Sequence, residues 1–187
     1  MTSTKRALSL YPIVAQREEG MERTLAKVVK LTGAKRRSVQ LWADAGIILA
    51  VEGTDRAGTG VHRRFDSNEV KLIALIVPLA RWGMSIGLLR AFARSFREAF
   101  RFGSSGRKRF ATEAKLARAF ERVAAREGHN YLVFAHTQKT LMFDVITDEH
   151  KPALFDPVRF AEEFAFFDKT AVIGILDLSA ILSEITD

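Results

Sequence analysis

Gly33 constrains this chain more than any other residue. Before it, Leu25, Val28, Val29 and Leu31 give a short stretch with one apolar helical face. After it, residues 35 to 45 read as a second helix, with Val39 and Trp42 on the buried side and Gly46 as the stop. A glycine between them accepts the positive φ that a tight turn demands. The stretch "KVVKLTGAKRRSVQLWADAGII", residues 27 to 48, is therefore expected to form two short helices around a turn. A helix-turn-helix asks for a compact apolar residue where the first helix meets the second, a turn residue tolerant of positive φ, and apolar anchors behind the second helix. Val29, Gly33, and the pair Val39 and Trp42 fill those places. Lys35, Arg36, Arg37 and Gln40 are left on the outer side. An ordinary helical hairpin with a solvated basic end fits the same residues.

Charge gives the pair a context. Residues 1 to 110 carry 21 Lys/Arg against 9 Asp/Glu, whereas residues 111 to 187 carry 8 against 13. A basic front and an acidic back nominate a polyanion partner for the front, although basic surfaces also serve solubility alone. Cysteine is absent. That excludes disulfides, thiolate metal sites and a cysteine redox sensor, and it fits a reducing compartment. His62, His129, His136 and His150 lack metal-ligand spacing. No apolar run is long enough to span a bilayer, and the N-terminus lacks the apolar core of a signal peptide. The expectation is a cytoplasmic, nucleoid-associated protein with no membrane partner and no cofactor.

Along the chain, residues 1–20 read as a tail. Ile47 to Val51 is β-prone, and "EGTDRAGTGVHRRF" suggests a hairpin with a flexible tip. "DSNE", residues 66 to 69, resembles a capping box opening a long apolar helix through Trp82, with a kink or break expected at Pro78 and an end at Gly83. In the fourth helix Phe92, Phe96 and Phe100 form a stripe that suits a core or a subunit interface. Its basic, aromatic character also suits an anionic membrane surface, but adjoining apolar segments can bury it. "GSSGRK" marks a linker over residues 103–109. Beyond it, residues 110–187 read as helix, two strands, a helix from Pro157, the strand "AVIGIL" and a closing helix. The fold class is thus α+β: an N-terminal winged helix-turn-helix head over residues 21–102 and a C-terminal small mixed α/β domain over residues 110–187.

The order of parts from Leu25 to Phe92 resembles the mercury-resistance-regulator (MerR) family of winged helix-turn-helix proteins. "LAKVVKLTGAKRRSVQLWADAGII" looks like that family's first two helices, and "HRRFDSNEVKLIALIVPLARWGMSIGLLRAF" like its Arg-Arg-aromatic wing end followed by the third and fourth helices. The resemblance implies phosphate contacts by Trp42 and by Arg63 or Arg64. The chain departs from the family in placing Gln40-Leu41 where Arg-Tyr is usual, in a longer wing, and in "FRFGSSGRKRF" where a long coiled-coil helix normally follows. Excisionases and some phage regulators, which bend DNA in recombination, are built on a similar winged helix.

The expected function is sequence-specific binding of double-stranded DNA by a transcriptional regulator acting as a homodimer. The alternatives are an architectural, excisionase-like bending factor and a winged-helix protein-interaction adaptor. Arg36, Arg37 and Gln40 are the candidates for base readout, and Lys35 for a phosphate. Trp42 can pack in the core and still reach a phosphate with its indole N–H. Arg63 and Arg64 serve either phosphate contact or protection of a hairpin edge. Arg56 at the loop tip reaches a minor groove or stays a mobile surface charge. The back half carries no catalytic signature, so no enzyme activity is expected. Asp144, Asp148, Glu149, Asp156, Asp168 and Asp177 read mostly as strand ends, turns and caps, and Glu162 and Glu163 as a solvated helix face. The C-terminal domain is expected to dimerise or to meet a small-molecule or protein effector.

Overall fold

The computed structural model describes residues 22–54, 62–102, 111–136, 141–147, 156, 172–183 and 185. The expected tail, the linker, Arg56 and the helix beginning at Pro157 lie outside the described residues. The fold is α+β. Strand β1 (Arg23–Thr24) leads into α1 (Leu25–Thr32), α2 (Arg36–Asp44), β2 (Arg64–Phe65), α3 (Ser67–Arg81), α4 (Ile86–Phe102) and α5 (Ala111–Ala124). Strands β3 (Asn130–His136), β4 (Leu141–Thr147) and β5 (Val172–Asp177) then precede the short helix α6 (Leu178–Ser183).

The first turn is written locally. Thr24 caps α1 by accepting from the Lys27 N–H at 3.4 Å. Gly33 ends it at φ +63°, with its N–H donating to Val29 O at 3.1 Å. The Thr32 hydroxyl donates to Val28 O at 2.8 Å and accepts from the Ala34 N–H at 3.3 Å. Val28 is the fully buried residue of α1, while Val29, expected to make the close contact with α2, is only partly buried. The small residue in the interior at the turn is Ala34.

Four other expectations need correction. Ile47 to Val51 forms no strand. The Ile47 and Ile48 N–H groups fold back onto Trp42 O at 2.9 and 3.3 Å, and both side chains enter the core. The strand partner of Arg64–Phe65 is Arg23–Thr24, paired antiparallel; residues 51 and 54 also meet Arg64, whose O accepts from the Val51 N–H at 2.8 Å and whose N–H donates to Thr54 Oγ1 at 3.1 Å, while the tip of the expected hairpin, residues 55–61, lies outside the described residues. Pro78 does not break α3, which runs unbroken to Arg81. Pro78 forfeits one ladder bond, the N–H that would have met Ala74 O, and the helix continues past it, with the Trp82 N–H donating to Pro78 O at 3.0 Å. The capping box is only half made. Asp66 accepts from the Glu69 N–H at 2.8 Å, but the Glu69 carboxylate turns elsewhere.

The C-terminal strands form an antiparallel sheet in the order β4-β3-β5. Phe134 of the central strand lies opposite Gly174. A Cβ at position 174 would come within 2.2 Å of the Phe134 ring, so only glycine admits that ring. Phe134 meets Phe92 of α4 edge-on at 5.4 Å, and Phe120 of α5 meets Phe96 and Phe100 at 6.1 and 4.4 Å. The phenylalanine stripe of α4 is core. One continuous apolar cluster runs from Val28 to Ile185, so the helices before residue 103 and the sheet after residue 110 share an interior.

Candidate nucleic-acid interface

Helix α2 has two unlike sides. Val39 is fully buried and Trp42 nearly so, at 7% exposure. Lys35, Arg36, Arg37, Gln40, Leu41 and Asp44 are exposed. At 100° per residue, Arg36, Gln40, Asp44, Arg37 and Leu41 share one arc of the helix surface. Among the described residues, nothing pairs with the side chains of Lys35, Arg36, Arg37 or Gln40. Lys35 occupies the N-cap with extended backbone and no side-chain cap bond. The first backbone N–H groups of α2 are therefore presented beside three cations.

The C-terminal end of α2 is held by arginines from elsewhere. Arg63 donates to Asp44 Oδ1 at 2.7 Å and to Gln40 O at 3.5 Å. Arg90 of α4 donates twice to Ala45 O, at 2.8 and 3.3 Å. Arg97, two turns further along α4, reaches Ile47 O at 3.0 Å and grips Glu69 of α3 at 2.6 and 3.1 Å. Glu69 also accepts from the Leu49 N–H at 2.8 Å. Both members of this ion pair are largely withdrawn from solvent, with Glu69 only 5% exposed. The guanidinium and carboxylate face each other as two parallel bonds, the geometry that best offsets desolvation. At the turn, Arg81 donates to Gly33 O at 3.4 Å.

The expected site residues thus divide. Lys35, Arg36, Arg37 and Gln40 come together on one exposed surface. Trp42 lies inside, against the core. Arg63 is half-buried and bound to α2, whereas Arg64 is exposed and meets Glu22 at 3.3 Å. Arg23 and Ser67 close the base of this region with a 3.3 Å bond. Sequence reasoning missed the roles of Glu69, Arg90 and Arg97. It also passed over Asp44 and Leu41 on the outer arc of α2, although their seven- and four-residue offsets from Arg37 place both there.

Elsewhere, Lys115 of α5 pairs with Asp144 of β4 at 2.8 Å, so Asp144 sits within a strand rather than at its end. Asp177 caps α6 by accepting from the Ala180 N–H at 2.8 Å, as expected of a cap. Among the described residues no cluster of His, Asp and Glu suits a metal ion, and no helix is long and apolar enough to cross a membrane. No protein-family model and no curated protein matches this chain.

Proposed function

We propose that this protein is a sequence-specific regulator that binds double-stranded DNA as a homodimer, with α1 and α2 as a helix-turn-helix and α2 as its reading helix. The observation that carries this reading is the exposed arc of α2. The side chains of Arg36, Arg37 and Gln40 stand together there, unpaired among the described residues, above a buried Val39 and Trp42. A cationic arc with a bidentate amide suits the major groove, where arginine reads guanine and glutamine reads adenine. Lys35 and the open N-terminus of α2 suit a backbone phosphate. Arg64, exposed on β2 next to the Arg63 that reaches the last turn of α2, suits a second phosphate in the manner of a wing. The strong basic bias of residues 1–110 supplies the long-range attraction. A single short helix reads few base pairs, so two copies on a palindrome give the specificity a regulator needs. The C-terminal sheet and its helices are the proposed seat of dimerisation or of an effector.

Selection of bound sequences from a random duplex pool, with a salt titration on the winner, tests this reading. A symmetric site and affinity that falls steeply with salt are expected. Arg36→Ala should relax preference at one position of each half-site. Arg64→Ala should weaken all duplexes alike and reduce the salt slope by about 1. Failure to enrich any sequence, with no salt-dependent binding to random duplex, would remove DNA as the partner.

A further inference from the structure

We propose that Leu41 is a specificity residue that packs against the C5-methyl group of a thymine, an inference that rests on α2 being the reading helix. Leu41 is 52% exposed although α2 buries its other large apolar residues, Val39 and Trp42. It lies on the arc that carries Arg37 and Gln40, one helical turn beyond Arg37. The core makes little use of it, and its side chain can neither donate nor accept a hydrogen bond. Among the major-groove groups that tell the four bases apart, the apolar one that projects far enough to be packed against is the thymine C5-methyl. An aliphatic side chain set among Arg37, Gln40 and Asp44 therefore has one kind of base edge to recognise. The polar neighbours read adjoining positions while Leu41 excludes water from the methyl.

The assignment adds something that arginine and glutamine alone do not give. Arg36, Arg37 and Gln40 discriminate guanine and adenine on the strand that they face. A leucine beside them reports on thymine, so the half-site is expected to hold a thymine next to the positions read by Arg37 and Gln40. Isolated exposed leucines are ordinary on protein surfaces. The test must therefore detect the methyl itself and not merely a loss of binding.

The experiment uses the full chain and the tightest duplex from the random-pool selection. Thymines are replaced by uracil one at a time, which deletes the C5-methyl and leaves base pairing and the O4 acceptor in place. Wild type should lose about four-fold in affinity at one thymine of each half-site, the equivalent of one buried methyl-sized group, and almost nothing at the others. Leu41→Ala should lose a similar factor on the thymine duplex and become indifferent to uracil at that position. The pair of substitutions forms a closed cycle whose coupling reports direct contact. Thermal unfolding of Leu41→Ala should lie close to wild type, since about half of the residue is in solvent and it is not part of the apolar core. Equal binding of every uracil duplex by wild type overturns the proposal while leaving DNA binding intact. Undiminished uracil sensitivity in Leu41→Ala overturns it as well. Absence of any selected duplex overturns both this assignment and the reading on which it rests.

Discussion

Two sets of cations occupy the first hundred residues, and they behave in opposite ways. Lys35, Arg36 and Arg37 are exposed at the start of α2, without a partner among the described residues. Arg63, Arg90 and Arg97 converge on its other end and are engaged with Asp44, Ala45, Ile47 and Glu69. One end of the helix is offered and the other is anchored. A reading helix requires both. Its side chains must be free to meet a ligand, and its axis must not drift when they do. Basic composition thus overstates the charge available to a polyanion, because part of it is spent inside the protein on backbone carbonyls and carboxylates.

The sharpest way to break this comparison is to attack the anchor. Arg97→Ala leaves Glu69 buried without its charge partner and Ile47 O without its donor. An unfolding free energy lower by about 3–5 kcal/mol is expected, read as a fall in the denaturant midpoint at constant m-value. Arg97→Met with Glu69→Leu should recover much of the loss, because removing both charges ends the desolvation penalty. A midpoint within experimental error of wild type for Arg97→Ala would show that the pair anchors nothing. At the offered end the pattern should reverse. Arg36→Ala and Arg37→Ala should change stability by less than about 0.5 kcal/mol. Each should weaken binding to the selected duplex by about 1–3 kcal/mol when it removes a base contact. If either variant unfolded early and bound normally, the division between the two sets would fail.

The same division explains what could be read in advance. Gly33, Val39, Trp42 and Asp66 signal through local rules: a left-handed turn, a helical period and an N-cap. Their positions are determined within a few residues of sequence, so both short helices and the start of α3 were legible. Glu69 looked like the far end of a capping box because that too is a local pattern. Its actual partners, Leu49 and Arg97, are 20 and 28 residues away, and no periodicity announces them. The apparent strand at Ile47–Val51 failed for a related reason. Its β-branched residues met a core on the far side of a turn, and burial outweighed strand propensity. The shared interior also escaped the sequence. Phe92 and Phe96 announced an apolar face, but only the fold brings Phe120 and Phe134 to it. A composition change near residue 103 marks a change of structure type without marking an end to the core.

Arg63 tests the boundary between the sets, with a smaller expected effect. Family resemblance offered Arg63 or Arg64 as a phosphate contact, and the two neighbours differ in exposure: 16% of the Arg63 side chain is accessible against 55% for Arg64. Arg63 reaches across to the last turn of α2, and one of its partners, Asp44, is itself well exposed. Solvent screens such a pair, so Arg63→Ala should lower stability by no more than about 1 kcal/mol. Its effect on binding should resemble that of a loosened helix. Affinity for the selected duplex should fall, while the slope of affinity against salt stays at the wild-type value, because no phosphate contact is lost. Arg64→Ala should show the converse, an unchanged unfolding midpoint and a slope reduced by about 1. A reduced slope in both variants would move Arg63 from the anchoring set to the offered one. The hydrogen bonds to Asp44 and Gln40 would then describe a free-state arrangement that DNA displaces.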